Sequence, residues 1–78
     1  MEAMIASVWR EVLGVERIGV HDAFLSIGGD SLKATLVASR LASRAGVDLA
    51  LWTVFEASTI AELAVVVARA IVAARSRR

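Results

Sequence analysis

Among the residues able to do chemistry, one local pattern is dense: Gly28-Gly29-Asp30-Ser31-Leu32. Two adjacent glycines let the backbone turn sharply and let another surface come close. With a helix starting at Ser31, its hydroxyl is displayed where free N–H groups and the positive end of the helix dipole favour a phosphate on the oxygen. Asp30 and Ser31 are also both good N-caps, so a glycine turn closed by a cap explains the same residues without any chemistry. A third role, Ser31 as a nucleophile in turnover, needs a base for its proton and a group to orient that base. His21 is the single histidine and lies upstream of the serine, and the chain has no cysteine. Disulfide and thiol chemistry are therefore excluded, and a metal site has few ligands to draw on.

The elements that must position these residues follow from apolar spacing. Ile5, Val8, Trp9, Val12 and Leu13 repeat at helical intervals, which predicts a helix over Glu2 to Leu13 stopped by Gly14. Residues 15–29 show no sustained period and hold Gly19, Gly28 and Gly29, which predicts a long loop with one short turn near Asp22 to Ser26. Loops of this length are uncommon in small domains and tend to be functional or tightly packed. Val15, Ile18, Val20, Phe24, Leu25 and Ile27 suggest packing back onto the helices. A second helix is expected from Ser31 to Ala45, with Leu32, Leu36 or Val37, and Leu41 on one face and Ala34, Ala38 and Ala42 admitting a close neighbour. Gly46 ends it. Asp48 to Ala57 reads as a short helix or a strand, and the want of a partner strand favours the helix. Thr59 and Glu62 have capping-box spacing, each satisfying a backbone N–H of the other, ahead of a last helix with Ile60, Leu63, Val66, Val67, Ala70 and Ile71 on one face. The expected fold is all-α: a four-helix bundle with a long loop between the first two helices and a short third helix.

Seventy-eight residues make a single domain, taken as 1–78 with its core at about 4–72 and a basic tail at 75–78. Without disulfides or metal, its core is expected to be aliphatic. Hydrophobic residues make up 58%, but fifteen of them are alanine. The most apolar segment, Ile60 to Ala74, is broken by Glu62 and Arg69, so no membrane span is expected. Glu2 stands where a signal peptide is basic, and a cytoplasmic location is expected. Without Arg75, Arg77 and Arg78, residues 1–74 carry six basic side chains against eight acidic ones. A basic end on a near-neutral body suits a helix C-terminus better than nucleic acid. Lys33, Arg40 and Arg44, seven and four residues apart, could share a helix face. They leave open a small helical interaction or DNA-binding module, although solvated helix charges explain them as well.

Gly29-Asp30-Ser31-Leu32 resembles the signature of the GDSL hydrolases, in which the serine is the nucleophile. In that family the Asp and His lie close together near the C-terminus of a much longer α/β domain, whereas here the C-terminal segment has neither. Nearly the whole chain, from Ile5 through Leu63, instead resembles the carrier-protein family, and within it the peptidyl carrier, or thiolation, domains of nonribosomal peptide synthetases. The resemblance rests on Val8-Trp9, Glu11-Val12-Leu13-Gly14, Val20-His21-Asp22-Ala23-Phe24 and Ile27-Gly28-Gly29-Asp30-Ser31-Leu32. It continues through Leu41, Gly46-Val47-Asp48-Leu49, Val54-Phe55-Glu56 and Thr59-Ile60-Ala61-Glu62-Leu63.

That resemblance implies a non-catalytic carrier. Ser31 would receive a 4'-phosphopantetheine arm from coenzyme A through a separate phosphopantetheinyl transferase, and the arm's thiol would hold aminoacyl or peptidyl groups. Gly29 and Asp30 would shape the presentation of Ser31. Leu32, Lys33 and Leu36, with Trp52 on the third helix, form the expected partner surface. Expected partners are the transferase and adenylation, condensation, epimerisation or thioesterase domains in antibiotic-type secondary metabolism. Nucleic acid and membranes are not expected partners, and the carrier is expected to be a monomer. Fatty-acid carriers resemble this fold but have a strongly acidic helix after the serine. Ser31 to Ala45 holds Lys33, Arg40 and Arg44 and no acid, which favours the peptidyl type over a polyketide or fatty-acid one. The Gly28-Gly29 pair points the same way. Asp30 resembles the variant often found before epimerisation domains. Ala50 and Ser58 stand where the family often has proline, and Trp52 where it often has a basic residue. Trp52 is then either exposed on the partner side or a half-buried core residue.

Overall fold

The computed structural model describes residues 1–76. Its helices are α1 (Glu2–Leu13), α2 (Ser31–Ala45), α3 (Leu51–Ala57) and α4 (Ile60–Ser76), with a single 3₁₀ turn at Phe24–Ile27. Gly14 and Gly46 close α1 and α2 in the left-handed conformation, as their placement after the last periodic residue predicts. The segment 48–57 resolves in favour of helix, though only from Leu51. α1 and α3 each pack against both α2 and α4, so the helices close a ring around one core.

Ile5, Val8 and Trp9 enter that core from α1, Val37 and Leu41 from α2, Val54 from α3, and Ile60, Leu63 and Val67 from α4. Its centre is aromatic, contrary to the aliphatic core expected. Trp9 and Phe24 are fully buried and meet edge to face, 5.0 Å between ring centroids at 67°. Phe55 meets Phe24 in the same manner at 6.1 Å. A few rings suffice because each buries roughly 150–250 Å², so their small number understates their share of the core. Trp9 Nε1 is buried with no hydrogen-bond partner among the described residues. An unpaired buried donor of this kind costs about 1–3 kcal/mol, which the ring's burial must offset.

On α2 the core face is Ala34, Val37, Ala38 and Leu41, while Leu32 and Leu36 are exposed. Both leucines lie two residues from Ala34, roughly half a turn away, so no rotation of the helix buries them together with Leu41. Of the expected face, Leu41 and the Val37 alternative are buried with the close-packing Ala34 and Ala38, while Leu32 and Leu36 are not. On α4, Ala64 joins the buried set, and Val66 and Ile71 pack at its margin.

The long loop is pinned by backbone bonds across the α3–α4 junction. Phe24 N–H donates to the Ser58 carbonyl at 2.6 Å, and Ala61 N–H, in the first turn of α4, donates to the Val20 carbonyl at 3.0 Å. Within it, Gly19 N–H donates to Asp22 Oδ2 at 2.8 Å while Asp22 N–H returns a bond to the Gly19 carbonyl at 3.0 Å. Ile18, Val20 and Ile27 pack against the core, but Leu25 is exposed. The α3–α4 junction is a left-handed residue, Ser58, with φ 55°. Proline, fixed near −65°, could not adopt it, so the serine at this family-proline position has its own local geometry. The capping box is half formed: Thr59 Oγ1 accepts from Glu62 N–H at 3.2 Å, but Thr59 N–H turns to the Ala57 carbonyl.

One polar clasp joins α1 to α2. Arg40 Nη1 and Arg44 Nη2 donate to Glu11 Oε2 at 2.9 and 3.1 Å. The hydrogen bond from Arg44 and the positive charges of both arginines hold the Glu11 carboxyl below its usual 4.5, against a smaller opposing effect of desolvation. Arg75 lies in the last turn of α4, where a cation favours the dipole, and Arg77 and Arg78 lie outside the described residues. Among the described residues no helix is long and apolar enough to cross a membrane, and no group of three or more acidic, His or Cys side chains could hold a metal ion.

A carboxylate whose folded value is depressed stabilises the fold above its unfolded value and loses that contribution as pH falls through the lowered one. Glu11→Gln is therefore expected to lower Tm at neutral pH, with the gap to the parent closing as pH is taken below the usual carboxylate range. Thermal melts across pH measure it, and a gap that persists unchanged into acid would show that the clasp contributes nothing.

Candidate functional site

The two glycines before Ser31 do different jobs. Gly28 ends the 3₁₀ turn at φ 100°, a conformation that side chains with a Cβ rarely adopt. Gly29 is needed for space: a Cβ there would run into the Phe24 ring and lie 2.6 Å from the Phe24 carbonyl oxygen. That same oxygen accepts the Gly29 N–H at 2.9 Å. The chain turns over a buried ring and then enters α2.

Asp30 is extended and caps the helix: its Oδ1 accepts from Lys33 N–H at 2.9 Å, and its carbonyl accepts from Ala34 N–H at 2.8 Å. Lys33 reaches back, its Nζ donating to the Gly28 carbonyl at 3.1 Å. The Ser31 carbonyl accepts from Thr35 Oγ1 at 2.9 Å. Ser31 is the first residue of α2 and exposed, so its hydroxyl stands at the outer end of the helix. N–H groups in this first turn precede the intrahelical ladder and point along the axis toward whatever the serine oxygen bears.

Gly29, Asp30, Ser31, Leu32 and Lys33 thus form one continuous turn, and Leu36 lies one helical turn beyond Leu32 on the same face. Leu32 is 71% exposed, Leu36 41% and Trp52 63%, which settles Trp52 as an outward residue of α3. α3 packs on α2 and on the 3₁₀ turn. Leu25 and Leu51, also exposed, extend the set of outward apolar side chains beyond those the sequence singled out. For Leu25 the available signal was its buried neighbour Phe24, whereas Leu51 adjoins the exposed Trp52 and had no such signal. Lys33 is half-buried and tied to its own turn, so its charge closes the turn first.

His21 sits exposed in the Gly19–Asp22 turn. The side-chain hydrogen bonds around the serine run from Lys33 to Asp30 and Gly28 and from Thr35 to Ser31, and none of them involves His21. Among the described residues no base is hydrogen-bonded to the Ser31 hydroxyl, and there is no strand on which an α/β hydrolase could be built.

Residues 4–67 match the family described as phosphopantetheine attachment site. The chain belongs to that family. Over 61 residues it is 52% identical to surfactin synthase subunit 3 of Bacillus subtilis, a match covering 78% of the chain and 5% of that protein. A peptidyl carrier protein solved in complex with coenzyme A and the phosphopantetheine transferase Sfp is 43% identical, with a TM-score of 0.83 over 87% of this chain and 88% of that one. The solution structure of an active-site mutant peptidyl carrier protein is 41% identical with a TM-score of 0.85, covering 90% and 78%. The chain is therefore a non-catalytic carrier domain of the peptidyl type, and its prosthetic group is covalently attached phosphopantetheine.

The turn fits such a group. An exposed hydroxyl opens α2, the helix dipole favours an anion there, and the Lys33 ammonium is held over the Gly28 carbonyl. Asp30→Ala is expected to cost about 1 kcal/mol by removing the cap, with Asp30→Asn retaining most of it. Chemical denaturation of the two variants measures this, and equal stability of Ala and Asn would exclude capping as the role of the side chain.

Proposed function

We propose that Ser31 carries the phosphopantetheine, and that the carrier delivers aminoacyl or peptidyl thioesters between the domains of a nonribosomal peptide synthetase. The observation that supports this most directly is the exposed Ser31 hydroxyl at the first position of α2, in a turn fixed by Gly29, Asp30 and Lys33. Ser31 Oγ forms a bond to the pantetheine-side phosphorus of coenzyme A as the pyrophosphate P–O bond breaks. Adenosine 3',5'-bisphosphate leaves, and the hydroxyl proton passes to the transferase. Bound there, the group supplies a thiol for thioester formation, which a chain without cysteine lacks. The arm's tether then raises the effective concentration of the acyl group at each partner.

The chain spans only a small part of the synthetases it matches, so the working partners are those of a longer assembly. We take them to be a phosphopantetheinyl transferase and adenylation, condensation and thioesterase domains in the cytoplasm, with Asp30 favouring an epimerisation domain among them. Residues 1–78 act as one monomeric unit with a core at about 4–72, consistent with the single ring of helices. Leu32, Leu36 and Trp52, with Lys33 at their margin, form the surface those partners read. A peptidyl rather than fatty-acid or polyketide role is supported by the acid-free α2. The cations that nucleic-acid binding would use are already engaged, Arg40 and Arg44 by Glu11 and Lys33 by Gly28.

Incubation with coenzyme A, Mg²⁺ and a broad-specificity transferase is expected to add one phosphopantetheine by intact mass, with no addition to Ser31→Ala. A folded parent that gains nothing would refute the assignment. Leu32→Ala and Trp52→Ala each remove an exposed side chain, so Tm should hold while modification efficiency falls by about tenfold, the size of a modest interface hot spot. Unchanged kinetics would remove either residue from the partner surface.

A further inference from the structure

We propose that Phe24 is the positioning residue for Ser31. Its ring sets where the Gly29 backbone can lie, and through Gly29 it sets where the first turn of α2 offers the serine. The inference rests on Ser31 being the attachment residue, and it concerns a side chain buried beneath the site.

Four observations converge on this one residue. The Phe24 ring occupies the space a Gly29 Cβ would need, so ring and backbone are in direct apposition. The Phe24 carbonyl accepts the Gly29 N–H at 2.9 Å, fixing the turn in register as well as in depth. Phe24 N–H donates to the Ser58 carbonyl at 2.6 Å, which ties the same residue to the end of α3. Finally, the ring is fully buried between Trp9 of α1 and Phe55 of α3, each edge to face. Such a ring moves little, because close-packed interiors resist displacement and transmit it to their neighbours.

A single residue, Asp30, separates Gly29 from Ser31, and it is locked to Lys33 by its cap. A displacement at Gly29 is therefore passed to the serine with little room to relax. Because Phe24 also holds α3 through Ser58 and Phe55, the ring relates Ser31 to the helix that carries Trp52. A partner that must meet the serine and the outer face of α3 together senses this relation.

The test is a double-substitution cycle read by transferase kinetics. Gly29→Ala places a methyl group against the ring, and the expected result is a loss of at least tenfold in kcat/KM for modification. Phe24→Leu removes the ring atoms in its way but leaves the Phe24 carbonyl oxygen 2.6 Å from the new methyl group, so the double variant should lose less than the two single losses combined. Should Phe24→Leu fail to fold, Phe24→Met, unbranched and adaptable, takes its place. Val67→Ala, a buried change on α4, should lower Tm with modification kinetics intact. Losses that simply add in the double variant, or a Val67→Ala variant slowed as much as Gly29→Ala, would overturn the inference. Modification of the parent chain at Ser31 is measured in the same series. A parent that is not modified refutes the attachment assignment, whereas a modified parent with additive variants refutes only the role of Phe24.

Discussion

The structure depends on the contact between a buried aromatic ring and a glycine backbone. Seventeen residues of mostly irregular chain separate α1 from α2, and such a segment has few ladder bonds of its own to hold it. Phe24 supplies what regular structure would otherwise provide: a ring in the core, a carbonyl on Gly29 and an N–H on Ser58. Remove that apposition and the glycine turn, the cap at Asp30 and the entry of α2 lose their common reference. The ordering of this loop costs conformational entropy on the order of 1–2 kcal/mol per residue, and only a well-buried anchor with companions such as Ile18, Val20 and Ile27 can offset it.

Much of this architecture is legible in the sequence, because its punctuation is local. Gly14 and Gly46 mark helix ends, Asp30 a helix start, and Thr59 the start of α4, each by short-range backbone chemistry. The candidate serine is legible for the same reason, since its glycines and cap adjoin it. Other features are set by distant packing and are not. Leu32 and Leu36 read both as one face with Leu41 and as outward residues beside the serine, and Leu36 stood as an alternative to Val37. Packing decided for Val37, beside Ala34 and Ala38, whose small size lets a neighbouring helix approach. Trp9 and Phe24 were legible as apolar residues facing the core, but not that their rings would meet at its centre, since that pairing is set by distant packing. The two roles of Trp52 could be separated only by the position of α3. The second half of the capping box failed because Ser58, in its left-handed conformation, turns the Thr59 N–H toward Ala57.

Charge is arranged to leave the serine end unencumbered. Arg40 and Arg44 close on Glu11 and Lys33 closes on Gly28, so the basic residues of α2 act within the molecule. Leu25, Leu32 and Leu36 face outward on the 3₁₀ turn and on α2, beside the exposed Asp30 and Thr35. A carrier that visits several enzymes in turn needs contacts that are small and quickly released, and a few separate side chains suit that better than a continuous hydrophobic sheet.

The division of α2 into sectors has a further consequence. One side of the helix is committed to the core through Ala34, Val37, Ala38 and Leu41, another to the clasp through Arg40 and Arg44, and a third to the outside through Leu32 and Leu36. Leu32 and Leu36 belong neither to the buried set nor to the clasp, so exchanging them leaves both in place. On the proposed partner surface, preference can thus drift, or be redesigned, by exchanging outward side chains on an otherwise fixed helix. That separability lets one scaffold take many addresses.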